Sequence, residues 1–159
     1  MRRGRGLRVA TAIAAFLAVD AGAATTEASL CDNLDEIPPH YQLDYNAAIQ
    51  GIFNRHCTVC HEGPSPSAGM DLSSGHSWAN LVGHVSNNGL YTRVVPNQPQ
   101  NSLLFHKVNC DVPDTGQRMP LGDTPLSGEE QAQISDWIAG GAPAGSLDVL
   151  FRGGFETRY

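Results

Sequence analysis

Two cysteines and a histidine stand close together in the run Cys57-Thr58-Val59-Cys60-His61. This C-x-x-C-H spacing is the signature for covalent attachment of a c-type haem. Two cysteines three positions apart lie on neighbouring points of one helical turn, so their sulfurs reach the two vinyl groups along one porphyrin edge and form thioethers. The next residue, His61, then projects toward the iron as its proximal ligand. The motif predicts one covalently bound haem c.

A thiol redox pair, a zinc site and a chance match are the alternatives for the same residues. A thioredoxin-like pair is expected within a βαβ pattern, and no such pattern surrounds Cys57 and Cys60. A zinc site would need Cys31 and Cys110 as further ligands, but these stand singly rather than as a second C-x-x-C pair. We favour haem, because the chain has one C-x-x-C pair and carries the marks of an exported protein.

Residues 1–23 have the organisation of a secretory signal peptide. An apolar h-region, Val9–Val19, precedes an A-x-A cleavage site at Ala21-Gly22-Ala23. Four arginines form the positive n-region: Arg2, Arg3, Arg5 and Arg8. The alternative is an uncleaved anchor, although the apolar stretch is short for a bilayer. The sequence therefore predicts a periplasmic or secreted protein.

The charge of the chain bears on its partners. The formal net charge is −6, and removal of residues 1–23 leaves 6 basic against 15 acidic residues, a net charge of −9. An acidic protein repels nucleic acid and anionic lipid and is steered toward basic partners. We therefore expect no nucleic-acid partner, and membrane association only through a partner. The alternative is that the charge serves solubility alone.

Length and composition indicate what kind of domain must position the motif. The chain has 159 residues, which suits one small domain with extensions. Its 17 glycines and 10 prolines indicate many loops, while 41% apolar residues exclude wholesale disorder. Aromatic residues make up only 7%, so we expect a small hydrophobic core that needs a covalent cross-link or a cofactor for stability.

Two helical patterns flank the motif and its downstream loops. Tyr45–Arg55 leads directly into the motif and has an apolar face made by Ile49, Ile52 and Phe53. The other predicted helix covers 127–139. Its predicted features are a capping box of Ser127 and Glu130, Gly140 at C′, and an apolar face of Ile134, Trp137 and Ile138. Shorter helices are predicted over 77–84 and 101–108.

With these patterns the chain resembles the single-haem, class I-like c-type cytochromes over about two-thirds of its length, roughly 44–144. Six further runs are similar to that family: Gly69-Met70-Asp71-Leu72, Val95-Pro96, Ser102-Leu103-Leu104, Met119-Pro120, Leu126-Ser127-Gly128-Glu129-Glu130 and Trp137-Ile138-Ala139-Gly140-Gly141-Ala142. The resemblance implies a mostly α, loop-rich cytochrome c-like domain wrapped around one covalent haem, with the last helix packed across the first. A polar lead-in, 24–43, precedes this domain and a tail, 145–159, follows it.

The resemblance also implies a distal ligand to the haem iron. Met119 follows a Gly- and Pro-rich loop and precedes Pro120, which looks like the distal methionine of this family. A His61/Met119 pair would give the haem a higher reduction potential than two histidines would. The alternatives are that Met119 belongs to the core and that His106 is the distal ligand. Met70 is expected to pack near the haem edge.

The implied function is electron transfer rather than catalysis. Two filled axial positions leave the iron without a site for substrate, so the expected partner is a redox protein. Because the chain is acidic, we expect that protein to have a basic docking patch. A haem enzyme or a gas or peroxide sensor with an open distal site is the alternative, with Arg118 or His106 as a distal group. An accessory haem module of a larger redox complex is a further one.

The remaining cysteines, Cys31 and Cys110, are predicted to form a disulfide. Cysteines of an exported chain meet an oxidising compartment, where each is expected to be bonded. The bond would tie the lead-in to the base of the loop that carries Met119. The alternative is that the two cysteines are unrelated and that one pairs with another chain.

Overall fold

The computed structural model describes residues 30–111 and 113–145. The predicted signal peptide, residues 1–23, and the predicted tail after residue 145 lie outside the described residues. The chain is mostly helical, as predicted, and its extended parts form only isolated bridges in the part described. Its elements are, in chain order, a π-helical turn Tyr45–Ile49, α1 (Gln50–His56), a 3-10 turn Ser67–Gly69, α2 (Ser77–Leu81), a 3-10 turn Pro99–Asn101, α3 (Leu103–Asn109) and α4 (Gly128–Ala139).

The helix predicted before the motif is present, although its first turn is wider than an α-helix. Asp44 caps it by accepting a hydrogen bond from the backbone N–H of Ala47 at 2.9 Å. Ile49, Ile52 and Phe53 are fully buried, which confirms the predicted apolar face. The helix ends at His56, so that Cys57 follows directly on its last turn.

The last long helix, α4, has the predicted capping box. Ser127 Oγ accepts from the N–H of Glu130 at 3.3 Å, and a Glu130 carboxylate oxygen accepts from the N–H of Ser127 at 3.1 Å. The prediction for Gly140 is wrong by one residue: Gly140 is the C-cap with φ −76°, and Gly141 takes the left-handed C′ position with φ 95°. The N–H groups of Gly141 and Ala142 then bond the carbonyls of Ile138 and Trp137, which is a Schellman ending.

The first and last helices pack against each other in opposite directions. The rings of Tyr45 and Trp137 lie 5.3 Å apart at one end. At the other end Glu130 bonds Arg55 and His56. Together with α2, α3 and their loops these helices bury one hydrophobic cluster: Tyr45, Ile49, Ile52, Phe53, Leu72, Leu81, Val94, Leu104, Phe105, Val108, Leu126, Ile134, Trp137, Ile138 and Ala142.

The shorter helices are displaced from their predicted ends. The helix predicted over 77–84 stops at Leu81, because Val82 turns into an extended conformation and pairs with Val94. The helix predicted from residue 101 begins at Leu103, because Pro99–Asn101 forms a separate 3-10 turn. Within the described ranges, no helix combines the length and the apolar character that a membrane crossing needs.

The predicted disulfide between Cys31 and Cys110 is present, with the two sulfurs 2.08 Å apart. The backbones on either side pair as a short antiparallel bridge: the N–H of Asp32 bonds the Asn109 carbonyl at 3.0 Å, and that of Asp111 bonds the Leu30 carbonyl at 2.7 Å. The bond joins positions 79 residues apart. In the chain-entropy view, a disulfide that closes a loop of that size stabilises the fold by about 4 kcal/mol, because it restricts the unfolded chain.

Candidate functional site

The Cys57–His61 turn continues the first helix by one turn. The Cys57 carbonyl accepts hydrogen bonds from the N–H groups of Cys60, at 3.1 Å, and His61, at 2.9 Å. This geometry places the two cysteines on one turn, as their spacing predicted. Both are free thiols. The structure therefore places three of the predicted site residues on a single hydrogen-bonded turn.

The two thiols have different surroundings. Cys57 packs against the hydrophobic cluster, and burial, aided by the nearby Glu130 carboxylate, raises the pKa of its thiol to about 12. Cys60 is exposed. A thioredoxin-like pair works through a thiolate whose pKa is lowered, so the environment of Cys57 disfavours that alternative.

The zinc alternative loses two of its ligands. Cys31 and Cys110 are bonded to each other and so have no thiolate to offer a metal beside Cys57 and Cys60. Across residues 30–111 and 113–145, no cluster of three or more His, Cys, Asp or Glu side chains is arranged to hold an ion.

His61 is held by hydrogen bonds on both its ring and its backbone. The ring is largely buried, and its Nδ1 lies 2.9 Å from the Ser67 carbonyl oxygen. A carbonyl oxygen only accepts, so Nδ1 carries the proton and the lone pair is on Nε2. The His61 carbonyl in turn accepts from the N–H of Leu72 at 2.7 Å. The ring is thereby oriented with Nε2 as its basic nitrogen.

His106, the alternative distal ligand, has both ring nitrogens engaged. Nδ1 lies 2.6 Å from a carboxylate oxygen of Asp114, and Nε2 lies 2.8 Å from the Gln100 carbonyl. Because a metal ligand needs a free nitrogen lone pair, His106 would have to break one of these bonds to bind iron.

Met119 lies on a loop that is docked on α3. Its N–H bonds the Lys107 carbonyl at 2.7 Å, and Lys107 Nζ bonds the Gln117 carbonyl at 3.0 Å. Met119 is half-buried, whereas Met70 packs against the hydrophobic cluster. The alternative of Met119 as a core residue is therefore disfavoured. No hydrogen bond within the described part of the chain joins Met119 to the Cys57–His61 turn.

Glu130 is a functional candidate that sequence reasoning recognised only as half of a capping box. Its carboxylate accepts hydrogen bonds from Arg55 at 3.1 Å and Ser127 at 2.9 Å, and lies 3.0 Å from His56 Nε2. Burial opposes the charge, but these hydrogen bonds outweigh it and lower the pKa of Glu130 to about 2. Glu130 thus ties the start of α4 to the residues immediately before Cys57.

We expect Glu130→Gln to lower the free energy of unfolding by about 1–2 kcal/mol at neutral pH. The folded-state pKa of about 2 lies below the ordinary value of 4.5, so the ionised carboxylate stabilises the fold above pH 4.5 and loses this effect as pH falls toward 2. Urea denaturation at pH 7 and at pH 3 checks this, with the exposed Glu62→Gln as control. An equal deficit for Glu130→Gln at both pH values would contradict it.

Arg93 is a second residue that the sequence did not point to. Its side chain is buried, and no carboxylate in the described ranges pairs with it. The guanidinium instead donates to the carbonyls of Ala68, at 3.1 Å, and Asn80, at 2.9 Å, and to the Asn87 side chain at 3.1 Å. Because Ala68 follows Ser67, Arg93 supports the turn that holds the His61 ring.

Comparison with protein-family models, with curated proteins and with solved structures found no match for this chain.

Proposed function

We propose that the chain is an exported monohaem c-type cytochrome that transfers electrons. Cys57 and Cys60 would attach one haem c, and His61 and Met119 would be its axial ligands. The observation that carries the proposal is the donor set of the Cys57–His61 turn: two free thiols on one turn, next to a histidine whose proton is committed to Nδ1. This set matches what covalent attachment and axial ligation require.

The residues around each ligand would hold it in place. The Ser67 carbonyl orients the His61 ring and fixes the tautomer with its lone pair on Nε2, as hydrogen-bond partners of metal-bound histidines do. The Lys107 carbonyl fixes the backbone of Met119. When bound, the haem would supply an iron that cycles between Fe(II) and Fe(III), at a potential raised by a methionine ligand.

Two observations favour electron transfer over an open distal site. Catalysis or gas sensing would call for a free histidine or arginine near the iron. His106 is held by Asp114 and the Gln100 carbonyl, and Arg118 is held by Asp32 and Asp111. An accessory module of a larger redox complex would use the same haem chemistry and differ only in its partner.

The partner would be a redox protein with a basic docking patch, since the chain is acidic. Docking of this kind is weak and salt-sensitive, because much of the attraction between exposed charges is screened at physiological ionic strength.

An optical spectrum tests the proposal. The full-length chain is expressed with the c-haem maturation machinery, and spectra are taken in the oxidised, reduced and CO-treated reduced forms. We expect a low-spin spectrum with the weak red methionine–iron band, and a reduced form that CO does not change. Ready CO binding would contradict the His61/Met119 pair and favour catalysis or sensing. Absence of bound haem would overturn the proposal as a whole.

A further inference from the structure

Arg118 lies at the centre of an ionic clamp built on the disulfide. Its Nη1 donates to Asp111 at 2.7 Å, its Nη2 donates to Asp32, and its Nε donates to the Val108 carbonyl at 3.2 Å. Asp32 follows Cys31 in the chain and Asp111 follows Cys110. The disulfide therefore brings two distant carboxylates to the same guanidinium.

The clamp is also anchored in the core. The side chain of Gln131, which is almost fully buried, donates to Asp32 at 2.8 Å and accepts from the buried side chain of Asn109 at 2.9 Å. Hydrogen bonds from Arg118 and Gln131 hold the pKa of the Asp32 carboxyl below its ordinary value. The Arg118 side chain is only 13% exposed. The guanidinium is thus fixed by two carboxylates and a carbonyl, in a partly desolvated position where such bonds are strong.

Arg118 immediately precedes Met119, and the two residues are held on the same support. The Arg118 side chain bonds the carbonyl of Val108, while the N–H of Met119 bonds the carbonyl of Lys107 at 2.7 Å. Both carbonyls belong to α3. The Met119 backbone is therefore held by its own bond to α3 and by its neighbour Arg118, which the clamp fixes to the same helix.

We propose that Arg118 is the positioning residue of Met119: the clamp of Asp32, Asp111 and the Cys31–Cys110 disulfide holds the methionine loop against α3, so that the thioether stays on the iron. This inference rests on the proposed function. It assigns Arg118 the task of holding Met119 on the distal side, instead of direct contact with a bound gas or peroxide.

The test measures how readily methionine leaves the iron in the haem-loaded protein. CO binds ferrous iron only after Met119 has dissociated, so the CO-binding rate reports the population of the open form. Loss of hydrogen bonds to a charged group predicts a roughly tenfold or greater increase in this rate for Arg118→Ala, together with a weaker methionine–iron band. Arg118→Lys keeps the charge and should recover part of the band.

A matched control separates positioning from general stability. His40 forms a comparable ionic cluster with Glu129 and Asp136, on α4 rather than at the methionine loop. His40→Gln should leave the CO-binding rate and the band unchanged. If Arg118→Ala lowers only the denaturation midpoint and leaves both optical readouts as in the unaltered protein, the positioning role is wrong.

Milder variants keep the test informative if the alanine variant does not fold. If Arg118→Ala yields no soluble protein, Asp111→Asn and Arg118→Lys take its place; Asp111 is 73% exposed, so its replacement removes one bond of the clamp without disturbing the core. A CO-binding rate equal to that of the unaltered protein in both Asp111→Asn and Arg118→Lys would overturn the inference. If instead the unaltered protein lacks haem or the methionine–iron band, the proposed function has failed, and the inference fails with it.

Discussion

Replacing both Cys57 and Cys60 with alanine should abolish covalent haem attachment. The two thioethers are the only bonds between haem and protein that are expected to survive denaturation, and each needs one of these thiols. The measurement is the mass and absorbance of the denatured protein after expression with the maturation machinery. The unaltered chain should carry one haem and the double variant none.

The other cysteine pair provides the matched control. A Cys31→Ala, Cys110→Ala variant removes the same number of sulfurs but leaves the Cys57–His61 turn intact. It should retain covalent haem, although its unfolding free energy should fall by about 4 kcal/mol. If haem stays bound to the denatured Cys57, Cys60 variant, the predicted attachment residues are wrong.

The double variant also tests how far the fold depends on haem. With 7% aromatic residues the chain has a thin core for its length, so we expect the variant to be largely disordered. An NMR spectrum with well-dispersed amide resonances in the absence of haem would contradict that expectation and would show that the helical packing is sufficient alone.

Replacing Met119 with alanine should open the distal side of the iron. The methionine–iron band should disappear, CO should bind the reduced form readily, and the reduction potential should fall because the soft thioether is lost. Met119→His should give a low-spin form that resists CO but has a lower potential than the unaltered protein. Optical spectra and a redox titration provide all of these readings.

Met70 is the control for Met119, because it is the same residue type but packs against the hydrophobic cluster. Met70→Ala should lower stability and keep the methionine–iron band. If Met119→Ala keeps the band, another residue is the distal ligand, and Met119→Ala combined with Met70→Ala would identify Met70. If the low-spin form is lost only in His106→Ala, the alternative histidine ligand is correct.

Much of the local structure is predictable from the sequence because it depends on neighbours along the chain. The buried face of Ile49, Ile52 and Phe53 follows from helical spacing, and the capping box of Ser127 and Glu130 from contacts three residues apart. The turn that places Cys57 beside Cys60 is equally local. The end of α4 at Ala139 is as predicted, but the left-handed C′ residue is Gly141 rather than Gly140, because two successive glycines offer the same conformational freedom at this end.

The supports of the candidate ligands were decided only by the tertiary structure. Glu130 bonds Arg55 across 75 positions, and Arg118 bonds Asp32 across 86. Arg93 donates to Ala68, Asn80 and Asn87, which lie in a 3-10 turn, in α2 and in a loop after α2. The amino-acid sequence by itself determined which residues are proposed to attach and ligate a haem. Which charged side chains support these residues depended on how the helices pack. The position of a charged residue in the sequence does not indicate which distant residue it will pair with.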